Sequence, residues 1–316
     1  MGTKVVALCG GVGGAKLAYG LSHVLPPEEL SIIVNTGDDF EHFGLSICPD
    51  IDTVMYTLAD LAHEGQGWGR ADEQWTTMDE IERLGGETWF KLGDRDIALH
   101  LLRTQSLASG ASLTAVSAQL AKRFGIRHAV LPMSNDPVRT MVETNEGELA
   151  FQDYFVRRRC EPTVCALRYA GAEQASLSPE VLRALENDNL RGVIICPSNP
   201  YLSIAPILAV ADLRERLKKL SAPVLAVSPI VGGHALKGPA AKMMAELGAH
   251  GGAFDIARMY GDFIDALFVD SRDAVLERQR NDADPQLLFG DIVMTSRDQR
   301  ISLARKCLSH LDYLRK

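Results

Sequence analysis

The chain has 316 residues, enough for one large or two modest domains with a full core. Hydrophobic residues make up 46% and charged residues 23%, which excludes a disordered chain. A net charge of −8 disfavours non-specific nucleic-acid binding. No apolar run approaches the ~18 residues that span a bilayer, so neither nucleic acid nor membrane is an expected partner.

Met1-Gly2-Thr3-Lys4 passes directly into the apolar stretch Val5 to Leu8, with no signal-peptide pattern. Cys9, Cys48, Cys160, Cys165, Cys196 and Cys307 are scattered, with no Cys-x-x-Cys pair. Buried or free thiols in a reducing cytoplasm are the expectation.

Lys4–Leu8 reads as a strand, followed by glycines and a helix from about Ala15 to Val24. Ser31–Val34 is the next strand, and a helix begins near Pro49, whose missing N–H is not needed at a first helical position. Strand, glycine turn, helix, strand opens an α/β, doubly wound, Rossmann-like and mostly parallel sheet. Residues 65–93 read as loop with a short helix at Met78–Leu84; helices are predicted at 95–108 and 112–124. Ala129–Leu131, Thr140–Glu143, Leu149–Tyr154 and Val164–Tyr169 read as strands without long helices between them, so 131–170 is expected to be a small β-rich insert. The core is then 1–130 plus 171–316. Its second part is predicted to hold strands at Gly192–Cys196, Val224–Val227, Ala266–Val269 and Ile292–Met294, with helices at 203–219, within 238–260 and at 297–315.

Gly10-Gly11-Val12-Gly13-Gly14-Ala15-Lys16 follows the first strand. Glycines allow a phosphate close to the backbone, and the helix N-terminus offers free N–H groups. Lys16 stands where a dinucleotide fingerprint needs glycine, and the P-loop spacing is absent. The loop is therefore an anion cradle of neither type. Asn35-Thr36-Gly37-Asp38-Asp39 ends the second strand, at the edge that lines the crevice of such sheets. Asp50 and Asp52 follow in the first turn of the next helix. Four carboxylates within fifteen residues repel one another and invite Mg²⁺, or one serves as a base. Leu92-Gly93-Asp94-Arg95-Asp96 opens a helix on which Asp96, His100 and Arg103 share a face. Pro197-Ser198-Asn199-Pro200 and Ser228-Pro229-Ile230-Val231-Gly232-Gly233 end later strands, with His234 and Lys237 as candidate phosphate partners. The chain has no nucleophile elbow and no His-Glu-x-x-His. A diphosphate cradle beside acidic metal ligands suits chemistry at phosphorus.

These segments, together with Cys48-Pro49-Asp50-Ile51-Asp52-Thr53-Val54-Met55-Tyr56-Thr57, run in family order over most of the chain. They resemble the 2-phospho-L-lactate transferase family (CofD, FbiA in mycobacteria) of deazaflavin coenzyme F-420 biosynthesis. The resemblance implies a homodimeric, Mg²⁺-dependent transferase. It would take a guanylylated phospho-acid donor, such as lactyl- or enolpyruvyl-diphosphoguanosine, and move the phospho-acid unit to the ribityl hydroxyl of the deazaflavin Fo, releasing GMP. Gly11, Val12, Gly13, Gly14 and Lys16 would cradle the donor phosphates. Asp38, Asp39 and Asp52 would be catalytic, with Asp38, Asp39 and Asp50 as metal ligands. The family's deazaflavin contacts map onto Asp52 and Arg95, with Asp94, Asp96 and Thr104 nearby. Some relatives carry Thr or Pro where this chain has Gly13-Gly14-Ala15. A related nucleotide-sugar-binding regulatory family of the gluconeogenesis-factor type shares the glycine loop and fold; the acidic set and Gly93-Asp94-Arg95-Asp96 favour the transferase. An NAD-dependent oxidoreductase is disfavoured by Lys16 and by Asn35 in place of a ribose-binding acid.

Overall fold

The computed structural model describes residues 3–63, 69–235, 240–248, 252–279 and 284–315. Lys237 lies outside the described residues, as do Gly65, Gly67 and Trp68. In chain order the elements are β1 (Lys4–Cys9), α1 (Gly11–Ser22), β2 (Leu30–Val34), the hairpin β3 (Phe40–His42) and β4 (Leu45–Ile47), and α2 (Pro49–Leu58). There follow α3 (Thr76–Arg83), α4 (Asp94–Ala108), α5 (Leu113–Arg123), β5 (Ala129–Pro132), β6 (Arg139–Thr144), β7 (Gly147–Ala150), β8 (Val164–Ala170), α6 (Pro179–Leu185) and β9 (Leu190–Ile195). The last part holds α7 (Ala205–Ala209), α8 (Leu213–Lys218), β10 (Val224–Val227), β11 (Ile230–Val231), β12 (His234–Ala235), α9 (Ala240–Glu246), α10 (Ala253–Tyr260), β13 (Ala266–Asp270), β14 (Gln286–Gly290) and α11 (Arg297–Leu314).

Seven parallel strands form the central sheet in the order β14-β13-β10-β9-β1-β2-β5. The α/β class read from the sequence is the one observed. Strand residues alternate between two cores, so β1 is apolar on both sides. Val5, Ala7 and Cys9 pack with α1, α2, α5 and α11, while Val6 and Leu8 pack with α6, α7, α8 and α10. The chain winds outward from β1 in one direction and from β9 in the other. The order therefore reverses between β1 and β9, and in open sheets of this kind the carboxyl ends at such a switch point are where ligands bind.

A separate antiparallel sheet, β7-β6-β8, has its own small core of Val142, Phe151, Tyr154 and Val164, joined by Leu202 and Met243. β5 pairs with β2 out to Pro132 and belongs to the main sheet; the antiparallel ladder starts at Arg139.

Several element expectations are corrected. The last strand is Gln286–Gly290, paired with β13, and not Ile292–Met294. Ile292 and Met294 are buried in the core shared by α1, α2, α5 and α11, and their apolar character serves that packing rather than a ladder. The strand expected over Leu149–Tyr154 ends at Ala150; Phe151 and Tyr154, three residues apart, then bury together from a helical bend. The helix expected over 203–219 is broken into a wide turn at Pro200–Ile204, α7 and α8. Ala211 sits between α7 and α8 with φ +49°, a left-handed conformation that stops a right-handed helix. The β3–β4 hairpin was not foreseen. Its signal is Phe43-Gly44, both at positive φ, as a two-residue hairpin turn requires.

Candidate active site

At the switch point, the turn after β1 meets the segment after β9. Gly10 N–H donates to Ser198 Oγ at 3.1 Å. Gly11 has φ +60°, a conformation that favours glycine, and begins α1. The helix thus starts four residues earlier than the expected Ala15. Val12, Gly13, Gly14 and Lys16 lie in its first turns rather than in a loop. Gly13 and Gly14 serve close packing: a Cβ on Gly13 would overlap the Pro197 carbonyl oxygen, and one on Gly14 would meet Ser198 Oγ and the Cys9 side chain. Lys16 Nζ donates to Met294 O at 3.0 Å, tying α1 to the segment before α11.

Asn35, at the end of β2, organises the acidic residues in front of this helix start. Its Nδ2 donates to Asp50 Oδ2 at 2.9 Å and to Leu202 O at 3.1 Å, while its Oδ1 accepts from Gly37 N–H at 2.8 Å. Asp50, from the first turn of α2, takes the Gly11 N–H on Oδ1 at 2.7 Å. That is a carboxylate at a helix N-terminus, where the dipole favours negative charge. Burial still pushes the Asp50 carboxyl up to about 6, although Asn35 and the Gly11 N–H pull the other way. Asp38 is raised well above the usual range, first by burial and then by the charge of Asp50.

The adjacent carboxylates Asp38 and Asp39 keep different company. Asp39 is pushed up to about 7 by burial, with the Cys48 thiol, Arg139 and Arg103 opposing the shift and Asp52 adding to it. Oδ1 of Asp38, Oδ1 of Asp39 and the Thr36 hydroxyl are buried without hydrogen-bond partners. Buried acceptors of this kind are costly unless a ligand completes them. Among the described residues no three acidic, histidine or cysteine side chains are preassembled as a metal cage. Asp38 and Asp50 nevertheless supply two carboxylates, the number Mg²⁺ commonly takes from a protein when substrate phosphates and water complete its shell. The donor set fits a hard cation.

Asp52 faces the other way, into a cleft of about 400 Å³ whose wall includes Tyr56, Arg70, Phe90, Asp96 and His100. Arg103 closes on Asp52 from behind through both terminal nitrogens, one of them 3.0 Å from Oδ2. His100 Nδ1 lies 3.2 Å from Arg103 Nη1. Burial lowers the imidazole to about 4, so it is neutral and accepts this bond. Tyr56 O–H donates to Asp96 Oδ1 at 2.5 Å, and burial raises the Asp96 carboxyl to about 6.

The expected residues therefore fall into three groups. The glycine turn, Asp38 and Asp50 gather at the switch point. Asp52 and Asp96 share the neighbouring cleft, with Asp39 near Asp52. Asp94, Arg95 and Thr104 do not line that cleft. Asp94 accepts from the Thr76 and Thr77 N–H groups and so caps α3. Arg95 is exposed, its N–H on Glu73 Oε2 at 2.9 Å. Thr104 Oγ1 accepts from Ser46 N–H at 2.8 Å and donates to His100 O at 2.7 Å. Sequence reasoning missed Tyr56, although it stands four residues after Asp52 and hence on the same helix face. It also missed the hub role of Asn35, which depends on contacts 15 and 167 residues away.

The family described as "2-phospho-L-lactate transferase CofD" matches residues 5–302. A 2-phospho-L-lactate transferase of Methanosarcina mazei is 40% identical over 300 residues, covering 95% of this chain and 98% of that protein. A phosphoenolpyruvate transferase of Streptomyces griseus is 40% identical over 318 residues, covering 99% of each. Among solved structures, a UPF0052-family protein of Bacillus halodurans superposes with a TM-score of 0.56 at 14% identity, covering 98% of this chain and 99% of that one, a likeness of fold alone.

Proposed function

The chain belongs to the CofD family of 2-phospho-L-lactate transferases, and from that membership we propose that it moves a phospho-acid unit from a guanosine diphosphate-linked donor to the ribityl hydroxyl of the deazaflavin Fo. In the proposed step the acceptor oxygen bonds to the phosphorus that carries the acid. The bond from that phosphorus to the bridging oxygen breaks, and GMP leaves with the oxygen and its electron pair. GMP departs as a phosphate, so a strong general acid is not required.

The switch point receives the donor diphosphate, with Gly11, Val12, Gly13 and Gly14 offering backbone at the start of α1 and Lys16 adding a cation one turn on. Asp50 with one of Asp38 and Asp39 is assigned to Mg²⁺, which when bound would neutralise diphosphate charge, leaving the other free for the proton. Asp39 is the fitting proton acceptor, because a carboxyl held near 7 is poised to take a proton at neutral pH. Asp38 is the alternative. Asp52 and Asp96 hold the acceptor in the cleft, with Arg95, Asp94 and Thr104 as its outer supports.

One observation carries this reading. Two buried carboxylates with orphaned oxygens, Asp38 near Asp50 at the glycine-started helix and Asp39 near Asp52 at a cleft of about 400 Å³, link the two halves of the site. The test is a fluorescence titration of Fo into the protein, with and without GDP and Mg²⁺, followed by detection of GMP. Saturable binding strengthened by GDP and Mg²⁺, and GMP formed in step with acceptor consumption, are expected. No Fo binding under any condition would refute the reading. The relatives named for phospholactate and for phosphoenolpyruvate are equally similar. The donor acid is therefore identified by offering both donors and weighing the product by mass spectrometry. A homodimer belongs to the same proposal and is read by light scattering.

A further inference from the structure

Arg103 is among the largest fully buried side chains, at 1% exposure. It projects from the middle of α4 and does not line the cleft. Its hydrogen bonds grip one carboxylate and pin the guanidinium that grips it. Both terminal nitrogens meet the Asp52 carboxylate, and Nη1 also reaches Ser46 O at 3.3 Å and the neutral His100 at 3.2 Å. Its Nε–H is left buried without a partner. A buried ion pair gains little stability over a well-packed apolar pair, because desolvating two charges offsets their attraction. An arrangement that also leaves a donor unpaired is poor as a stabilising device. What it does secure is direction. A planar two-pronged donor fixes the plane of a carboxylate in a way that a lysine ammonium cannot.

We propose that Arg103 is a positioning residue that locks the Asp52 carboxylate in the orientation the acceptor meets. The assignment rests on the proposed placing of Fo in the cleft. Arg103 itself touches no substrate and acts through Asp52. Its charge also bears on Asp39 and Cys48.

The test is a double-mutant cycle on binding, made with the full chain: wild type, Arg103→Lys, Asp52→Asn and the double variant. Fo affinity is read by fluorescence and GDP affinity by calorimetry, with a thermal melt to confirm folding. Arg103→Lys keeps the charge and loses the fork. It is expected to weaken Fo binding by about tenfold or more, with GDP affinity changed less than about twofold. On the Asp52→Asn background the same change should cost Fo less than about twofold. Equal losses on both backgrounds, parallel losses of Fo and GDP, or wild-type Fo affinity in Arg103→Lys each overturn the assignment. If Arg103→Lys does not fold, Arg103→Gln combined with Asp52→Asn leaves no charge unpaired and is compared with Asp52→Asn alone. Equal Fo affinity supports the proposal, and a further loss of about tenfold overturns it. Undiminished Fo binding by Asp52→Asn removes Asp52 from the acceptor site, and the positioning role with it, while leaving the transferase reading in place. A wild type that binds no Fo sinks both.

Discussion

Gly13→Ala adds one methyl group at a place where the helix has no room for it. A Cβ there would overlap the Pro197 carbonyl oxygen, which is backbone and cannot swing aside. Relief requires α1 and the segment after β9 to part by on the order of 1 Å, the gap between an overlapping and an ordinary carbon–oxygen contact. Both segments are anchored. α1 is packed into the core by Ala15, Leu17 and Leu21, and Gly10 N–H is bonded to Ser198. Overpacking a close-packed site costs about 1–3 kcal/mol, and a backbone partner places this one at or above the top of that range. At roughly 2 °C per kcal/mol for a chain of this length, Tm should fall by about 6 °C or more. Differential scanning calorimetry measures it. Gly11→Ala is the control. Its Cβ would meet nothing closer than 3.8 Å, and only the left-handed φ of +60° opposes it, at about 1 kcal/mol. Both variants should also weaken GDP, Gly13→Ala more, since it displaces the helix start. A Gly13→Ala protein with wild-type Tm would refute the close-approach argument.

Four further outcomes follow. Asp52→Asn and Asp52→Ala should both lose turnover and both melt lower, Asp52→Ala more, because a buried Arg103 without its charged partner costs about 3–5 kcal/mol and only the amide still accepts a hydrogen bond from it. Near-wild-type GMP release by Asp52→Asn removes the aspartate from the reaction. Lys16→Ala should weaken GDP more than Fo in parallel titrations, and equal losses contradict its place at the donor phosphates. Asp39 has a folded-state pKa raised from 3.8 to about 7. Its penalty is absent below pH ~4, grows by roughly 1.4 kcal/mol per pH unit as the unfolded chain ionises first, and is complete above pH 7. Asp39→Asn should therefore raise Tm at pH 7.5, with the gain shrinking as pH falls toward 4; a pH-independent Tm difference argues against the buried, raised carboxyl. Finally, Mg²⁺ with GDP should raise the wild-type Tm at neutral pH, and Asp38→Asn should blunt that rise, as a calorimetric series in EDTA and in Mg²⁺ would report.

Much of the site was legible because its parts are local. Glycines after an apolar β-branched run, paired aspartates after the next one, and Pro49 with Asp50 and Asp52 opening a helix are short-range patterns, and each stands at the carboxyl end of a strand or the start of a helix. Element boundaries were least legible where side chains serve tertiary packing. Ile292 and Met294 are apolar for the shared core, not for a ladder, and Phe151 and Tyr154 are apolar for the small core. Asp94 reads like a site residue, and folding shows that it caps a neighbouring helix, because a carboxylate at a helix start is suited to that duty as well as to a ligand.

By itself the sequence determined the α/β class, the glycine-rich passage from β1 into α1 and the crowding of four carboxylates, since all three depend on residue type and spacing along the chain. Only the tertiary structure decided how those carboxylates divide. Asp50 turns to the glycine turn because Asn35 and the Gly11 N–H hold it there, and Asp38 lies within reach of its charge. Asp52 turns to the cleft because Arg103 from α4, fifty-one residues on, grips it from behind. Neighbours in sequence such as Asp38 and Asp39 share a composition but not an environment. It is the environment, burial and the charges brought within a few ångströms by folding, that sets what each carboxylate can do.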